Sequence, residues 1–288
     1  MKIAFVGLGS MGAPLARLIA RAGHELNVHD AFPAACEAFR DIARIGTSAA
    51  DAARGVQIAC VCVRDDRQVE DAVLGEAGLV ETLAADSLLL VHSTIRIDTL
   101  QRLHLELGSR GIALVDAPVS RTRATEDEAF VFTMMGGETG EVERARPVVD
   151  AFSTEIGHMG PLGAGMAAKI ANNLITWTHL VVAGQASRLA AAHGVAHERL
   201  RRVMAANGNL TPTVAALLDG KRASPPGVDM QRDRFLVSQA GIGEKDLELA
   251  IACCESTGIE TAMVRETRKL VRPVMTGALP GEPHDRRS

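Results

Sequence analysis

Tyrosine is absent from the 288-residue chain, and aromatic residues of all kinds make up only 3% of it. The absence removes one of the common proton donors, so any acid–base chemistry must use another side chain. An excess of basic residues is also missing, because the net charge is −4. Arg199, Arg201 and Arg202 cluster, but their spacing is typical of a solvated helix surface. No nucleic-acid partner is therefore expected.

Long apolar runs and paired cysteines are missing as well. No stretch of about eighteen apolar residues occurs, so the sequence predicts no membrane span. A strand pattern begins at Lys2, which we expect to leave no room for a signal peptide. The five cysteines have no zinc-site spacing, and an odd count is unlike a disulfide framework. We expect small buried cysteines in the reducing cytoplasm, and no bound metal.

The first half of the chain alternates short apolar runs with helical stretches. Strict alternation predicts βαβ units around a parallel sheet. The right-handed crossover rule then favours an α/β doubly wound sheet of the Rossmann type. The predicted strands are Lys2 to Val6, Glu25 to His29, Gln57 to Val63, Leu88 to His92, Ile112 to Val115, Phe130 to Met135 and Thr154 to Ile156. The predicted helices are Pro14 to Ala22, Pro33 to Phe39, Arg67 to Leu74 and Ile97 to Ser109.

After Gly157 no strand pattern returns, and an all-α region is predicted. Its first helix, Met166 to His193, is apolar nearly all round in its middle and is expected to be buried. We expect a dinucleotide-binding domain over 1–160, an all-α substrate and dimerisation domain over 161–280, and a disordered tail at 281–288. The other predicted helices are Ala196 to Ala206, Thr211 to Leu218, Glu244 to Ser256 and Thr261 to Met275.

A glycine-rich motif, Gly7-Leu8-Gly9-Ser10-Met11-Gly12, follows the first predicted strand and opens the first helix. In that context Gly7 permits a tight turn, Gly9 lets the backbone approach a pyrophosphate, and Gly12 allows close helix–strand packing. The helix N-terminus then offers N–H groups and a partial positive charge to phosphates. The motif predicts dinucleotide binding by all six residues.

Asp30 ends the second predicted strand and lies 23 residues beyond Gly7. A carboxylate there accepts the ribose hydroxyls and repels a 2′-phosphate, which favours NAD over NADP. No arginine follows immediately. Asp30 is also placed to cap the next helix, which does not exclude the ribose role.

Lys169 and Asn173 lie four residues apart on the long helix and therefore share one face. Transfer of a hydride from an alcohol carbon needs a group that moves the hydroxyl proton, and the chain has no tyrosine for this. A desolvated lysine has a lowered pKa and becomes a competent acid–base group. Asn173 would hold the substrate oxygen or the lysine. A lone helical lysine is, however, more often simply solvated.

Four motifs occur in order: the glycine motif at 7–12, Asp116-Ala117-Pro118-Val119-Ser120, the segment from Gly165 to Asn173, and Lys245-Asp246-Leu247-Glu248-Leu249-Ala250. Together they resemble the β-hydroxyacid dehydrogenase family, which is 3-hydroxyisobutyrate dehydrogenase-like and related to 6-phosphogluconate dehydrogenase. The resemblance extends to about residue 275. It implies an oxidoreductase that transfers a hydride between NAD(H) and a small 3-hydroxy acid or its semialdehyde.

The resemblance also implies roles for individual residues. Lys169 would be the acid–base group and Asn173 would orient the substrate. Ser120 and the residues after it would bind the substrate carboxylate, and Lys245 would close over cofactor and substrate. The family's usual state implies a homodimer or homotetramer with the helical domain in the interface. Thr94 would lie beside the nicotinamide, and Val63, Arg64 and Gln68 would lie along the cofactor.

The chain departs from the family pattern after Ser120, where Arg121-Thr122 replaces the usual Gly-Gly. Arg121 would bind a carboxylate, sulfonate or phosphate, or else point to solvent or pair with Glu126 or Asp127. Arg64 stands where the family usually has proline. These departures leave the exact substrate open. An imine reductase-like enzyme and a non-catalytic dinucleotide-binding protein of the same fold are the alternatives.

Overall fold

The computed structural model describes residues 1–123, 125–223 and 229–277, so the expected tail at 281–288 lies outside the described residues. The chain divides into two compact units, Met1–Lys169 and Ile170–Ser288. Within the described ranges, no helix combines the length and the apolar character needed to cross a bilayer.

Six parallel strands form the main part of the sheet in the first unit. Their order, β3-β2-β1-β4-β5-β6, runs outward in both directions from β1 and β4. This is the doubly wound Rossmann arrangement, and it confirms the predicted fold class. The strands are β1 Lys2–Val6, β2 Glu25–His29, β3 Arg44–Ile45, β4 Ile58–Val61, β5 Leu88–Val91 and β6 Ala113–Asp116.

Three further strands, β7 Val119–Arg121, β8 Val131–Gly136 and β9 Ser153–Gly160, extend the sheet beyond β6. β8 runs antiparallel to both β6 and β7 and parallel to β9. A single residue pair, Asp116 with Gly136, joins β8 to β6. β7 and β3 were not predicted, because two or three residues are too few to show a strand period.

The helices of the first unit alternate with the parallel strands, as βαβ units require. α3 and α6 were not predicted: α3 has five residues, and α6 contains Pro147 among charged side chains. The helices are α1 Gly12–Arg21, α2 Pro33–Cys36, α3 Ala49–Ala53, α4 Asp66–Leu74, α5 Ile97–Gly108 and α6 Thr139–Val149, with 3₁₀ turns at Glu37–Phe39 and Leu79–Glu81.

The described residues of the second unit are helical with short connections, as predicted. α10 begins fourteen residues before the predicted Glu244, because Asp229 caps it by accepting from the N–H groups of Gln231 and Arg232. Arg272 of α11 pairs with Glu244 of α10. The helices are α7 Ala164–Ala192, which starts in the first unit, α8 His197–Ala206, α9 Pro212–Ala223, α10 Met230–Thr257 and α11 Ala262–Thr276.

The expected all-round burial of α7 is wrong for one face. Trp177 and Val181 are buried, but Ile175, Val182 and Leu189 are 69%, 58% and 64% exposed within this chain. The three exposed residues recur every seven positions, so they form one apolar stripe along the helix. We call Ile175, Val182 and Leu189 the α7 stripe.

The expected burial of the cysteines is only partly correct. Cys36 and Cys60 are buried, whereas Cys62, Cys253 and Cys254 are partly exposed. β4 ends at Val61, so Cys62 lies beyond the strand rather than inside it.

Candidate active site

The glycine motif forms the turn between β1 and α1. Gly7 has φ +96°, and a Cβ on it would overlap the carbonyl of Cys62. A Cβ on Gly12 would overlap the carbonyl of Gly7, so both positions require glycine. A Cβ on Gly9, in contrast, meets no atom within 4 Å. The backbone beside Gly9 is therefore open to a ligand, as a bound pyrophosphate requires.

The start of α1 and the end of β1 meet at the switch point of the sheet, where the strand order reverses between β1 and β4. Dinucleotides bind at this place in doubly wound folds. The side chain of Met11, at the N-cap, makes no capping hydrogen bond with the described residues. The first N–H groups of α1 thus suit phosphate oxygens.

Asp30 is held rigidly by two backbone N–H groups. Leu8 donates to Asp30 Oδ2 at 2.6 Å, and Phe32 donates to Asp30 Oδ1 at 2.8 Å. The carboxylate thereby joins the glycine motif to the chain after β2. Each carboxylate oxygen has further acceptor capacity, which suits the two ribose hydroxyls. The open backbone at Gly9 and the carboxylate of Asp30 therefore fit NAD.

The other residues expected along the cofactor lie at the carboxyl ends of β4 and β5. Val63 N–H donates to Ser93 Oγ at 2.8 Å, which joins the two strand ends. Arg64 N–H donates to Gln68 Oε1 at 3.0 Å, and Asp65 caps α4 by accepting from Gln68 N–H at 3.0 Å. Thr94 is half-buried two residues after His92. The Gln68 amide thus closes the turn at the start of α4.

The hairpin between β7 and β8 holds Ser120, Arg121 and Thr122. Arg121 donates to Glu126 at 2.6 Å, and its guanidinium lies 4.9 Å from the centre of the Phe130 ring. Thr122 Oγ1 donates to the Phe130 carbonyl at 3.0 Å. Of the alternatives for Arg121, the structure contains the pairing with Glu126. The side chains of Arg121 and Thr122, which replace the two glycines usual in the family, therefore have hydrogen-bond partners within the hairpin or on β9.

Asn173 and Lys245 come together around Asp246, a buried carboxylate on α10. Asn173 Nδ2 donates to Asp246 Oδ2 at 2.7 Å, and Trp177 Nε1 donates to the same oxygen at 3.2 Å. Lys245 Nζ lies 3.2 Å from Asp246 Oδ1, without the alignment of a hydrogen bond. Asp246 therefore fixes the Asn173 amide and holds the Lys245 ammonium near it. Gly243 makes room for this, because a Cβ there would lie 2.9 Å from the Trp177 ring.

Lys169 is half-buried in the second turn of α7, and Asn173 follows it one turn later on the same helix. A straight helix places residues four apart on one face. The lysine and the amide are therefore neighbours along α7, as their spacing predicts.

Three buried groups had no role in the prediction. Asp246 and Asp116 both lie in the quoted motifs, and an acidic residue beside apolar neighbours was the signal available. His92 is buried as well: its Nδ1 donates to the Ala117 carbonyl at 2.8 Å, and burial lowers its pKa to about 4. In residues 1–123, 125–223 and 229–277, no group of three His, Cys, Asp or Glu side chains is placed to hold a metal ion.

Comparisons with known proteins agree with this geometry. Residues 2–160 match the family model of the NAD binding domain of 6-phosphogluconate dehydrogenase. An NAD-dependent L-serine dehydrogenase of Pseudomonas aeruginosa is 32% identical over 265 residues, which cover 91% of this chain and 88% of the relative. A 3-hydroxyisobutyrate dehydrogenase of the same organism is 30% identical over 274 residues, covering 93% and 90%.

Among solved structures, Mycobacterium tuberculosis 3-hydroxyisobutyrate dehydrogenase with L-serine matches with a TM-score of 0.78 at 24% identity, covering 96% of this chain and 98% of that one. This match shows the shared fold. The chain belongs to the β-hydroxyacid dehydrogenase family and is an NAD-dependent oxidoreductase, which confirms the resemblance and the expected cofactor.

Proposed function

We propose that the chain interconverts a small 3-hydroxy acid and its semialdehyde, with Lys169 as the acid–base group. The names of the two P. aeruginosa relatives support the substrate class. Serine and 3-hydroxyisobutyrate share a primary alcohol one carbon away from the carbon that bears the carboxylate. They differ in the substituent on that middle carbon, an ammonium in one and a methyl group in the other.

The cluster of Asn173, Lys245 and Asp246 is the observation that carries the proposal. Because Asp246 engages one N–H of the Asn173 amide, the amide plane is fixed before substrate arrives. A fixed amide orients a hydroxyl without loss of side-chain entropy on binding. Lys245, paired with the same carboxylate, supplies positive charge for an anionic ligand. A purely structural helical domain has no need of this buried polar arrangement.

The reaction follows from these groups. NAD, which the glycine motif and Asp30 would hold, would supply the acceptor for the hydride that leaves the alcohol carbon. Lys169, in its neutral form, takes the hydroxyl proton as the carbonyl forms, and returns a proton in the reverse direction. Asn173 orients the reacting oxygen. Ser120 and the residues after it would bind the substrate carboxylate, with Thr94 beside the nicotinamide and Val63, Arg64 and Gln68 along the cofactor.

The role of Arg121 is part of the proposal as well. A substrate anion would have to share the guanidinium with Glu126, which already pairs with it. Arg121→Gly restores the residue that the family usually has. If Arg121 binds substrate, this variant has a higher KM for the hydroxy acid and the same KM for NAD.

The α7 stripe supports a homo-oligomer, a homodimer or homotetramer. Large exposed apolar residues at seven-residue spacing suit the face of another helix, and a second copy of this chain offers the same stripe. The cytoplasm as location, and a division between a dinucleotide-binding domain over 1–160 and a substrate and dimerisation domain over 161–280, belong to the same proposal. An imine reductase and a non-catalytic protein are not favoured, because the relatives are named as dehydrogenases.

Absorbance of NADH during incubation with L-serine, 3-hydroxyisobutyrate and related 3-hydroxy acids tests the proposal. Lys169→Ala is expected to lose at least about 100-fold in kcat, in the range of a lost acid–base group, and to keep its affinity for NAD. Lys269→Ala is the matched control, because Lys269 is an exposed lysine paired with Glu266 on α11. Full activity in Lys169→Ala refutes the role of Lys169, and NAD binding without turnover of any hydroxy acid refutes the enzyme.

A further inference from the structure

Asp116 ends β6 and is completely buried. Its Oδ1 accepts from Gly163 N–H at 2.7 Å, and its Oδ2 accepts from Met166 N–H at 2.5 Å. Gly163 directly precedes α7, which begins at Ala164, and Met166 lies in the first turn of that helix. A carboxylate in this position satisfies N–H groups that the helix itself leaves unpaired, and it lies at the positive end of the helix dipole. Asp116 therefore anchors the start of α7 to the sheet.

Two glycines make room for the anchor. A Cβ on Gly136 would overlap Asp116 Oδ1 and lie 2.8 Å from the Gly165 nitrogen. A Cβ on Gly165 would overlap the Met134 carbonyl and lie 2.9 Å from Asp116 Oδ2. The end of β6, the end of β8 and the first turn of α7 are thus packed around one carboxylate. Such close packing leaves the helix start little freedom to shift.

Lys169 follows Met166 by three residues, less than one helical turn. The position of the Lys169 backbone along α7, and the direction in which its side chain leaves the helix, are therefore set by the turn that Asp116 holds. We propose that Asp116 is a positioning residue for the acid–base lysine. This inference rests on the proposed role of Lys169, but the anchor itself is testable without it.

The chemistry of the carboxyl group agrees with this role. Burial raises the pKa of Asp116 to about 6, while the N–H groups of Gly163 and Met166 act in the opposite direction by stabilising the charged form. The group is consequently ionised at neutral pH, when it accepts from two donors at once.

Asp116→Asn tests the inference, because asparagine keeps the volume and replaces one acceptor oxygen by an NH₂ group that faces a donor. The matched control is Thr133→Val on β8. Thr133 is equally buried, its Oγ1 lies 2.7 Å from Ser153 Oγ, and valine has the same shape. Amide hydrogen exchange of segment 161–169 measures the anchor, and competitive acetylation of the Lys169 amine with NAD bound measures the surroundings of the lysine without turnover.

We expect faster exchange of segment 161–169 and an altered rate of Lys169 acetylation in Asp116→Asn, and neither change in Thr133→Val. With L-serine and 3-hydroxyisobutyrate as probes, kcat should fall about 10- to 100-fold while KM for NAD changes less than about twofold, because misplacement of a catalytic group by about 1 Å has effects of this size. Unchanged exchange and acetylation in Asp116→Asn, or an equal kcat loss in Thr133→Val, overturns the inference.

Loss of activity in Asp116→Asn alongside full activity in Lys169→Ala would refute the role of Lys169, and the anchor would then be judged by exchange alone. If Asp116→Asn does not fold, the wild-type protein gives the same test. In the wild type at neutral pH, the Gly163 and Met166 amides, which donate to Asp116, should exchange well below their intrinsic rates. Exchange of both amides at their intrinsic rates contradicts the anchor.

Discussion

His92 donates its Nδ1 hydrogen to the carbonyl of Ala117, the residue directly after Asp116. A buried histidine thus bonds to the chain next to a buried carboxyl group at the carboxyl end of β6, and the pKa values of the two groups are shifted in opposite directions. Burial lowers the pKa of His92 from 6.5 to about 4 and raises that of Asp116 from 3.8 to about 6. Both shifts keep the neutral form favoured, as desolvation requires.

The opposed shifts predict a compensated pH dependence of stability. Below its unfolded pKa of 6.5 the unfolded histidine binds more protons than the folded one, so the contribution of His92 is lost as pH falls from 6.5 to 4. Between 3.8 and 6 the folded Asp116 binds more protons than the unfolded one, so stability falls as pH rises through that range. Between pH 4.5 and 6 each group changes the free energy of unfolding by about 1.5 kcal/mol, and the two changes have opposite signs.

A variant that lacks one of the two groups should show the pH dependence of stability that the other group causes. Relative to the wild type, His92→Gln should lose about 1.5 kcal/mol of unfolding free energy between pH 4.5 and 6, and Asp116→Asn should gain about as much. Urea unfolding at several pH values measures both slopes. Glutamine keeps a donor for the Ala117 carbonyl, which makes it the conservative replacement. Two variants that both follow the wild-type slope would contradict the opposed shifts.

Asp246 provides a prediction with its own spectroscopic signal, because Trp177 is the single tryptophan of the chain and donates to it. Asp246→Asn removes the charge and places an NH₂ group either against the Lys245 ammonium or against the donors of Asn173 and Trp177. We expect a kcat about 10-fold or more below that of the wild type, as for a misoriented substrate group, and a changed Trp177 emission spectrum.

Thr267→Val controls for the loss of a buried polar group in the same unit. Thr267 is buried on α11 and donates to the Met263 carbonyl at 3.0 Å. It should leave kcat and the tryptophan spectrum unchanged. A normal kcat in Asp246→Asn, despite an altered spectrum, would show that the Asn173 amide needs no fixed orientation.

Asp30 should decide the choice between the two nicotinamide cofactors. Asp30→Ser removes the charge that repels a 2′-phosphate and the acceptors for Leu8 and Phe32. The ratio of kcat/KM for NAD to that for NADP should fall at least about 10-fold, through weaker NAD binding. Glu37→Gln is the control, since Glu37 is an exposed carboxylate nearby that pairs with Arg40. An unchanged ratio would remove Asp30 from cofactor selection.

Much of this molecule could be predicted from its sequence because the informative patterns are local. The glycine motif, the alternation of strands and helices, and the spacing of Lys169 and Asn173 depend on neighbouring residues. The contacts made by Asp116, Asp246 and His92 join residues 25 to 73 positions apart. No pattern of neighbouring residues predicts contacts across such sequence separations. For the same reason, the pairing of Arg121 with Glu126 remained one alternative among several.

The α7 stripe gives the remaining prediction. Val182→Glu places a charge at the centre of the stripe, so a dimer that uses it should dissociate to monomers, as measured by light scattering during gel filtration. Val203→Glu on α8 is the control, because Val203 has the same 58% exposure and lies outside the stripe. Dissociation by Val203→Glu alone would assign the interface to α8.

Gly9 differs from Gly7 and Gly12 in having empty space where a side chain would lie. A methyl group there should leave the folded protein intact and meet only the dinucleotide. Gly9→Ala is therefore a natural reference protein, folded but deprived of its cofactor. When another variant is compared with Gly9→Ala, effects that depend on dinucleotide binding can be distinguished from effects on the folded protein itself.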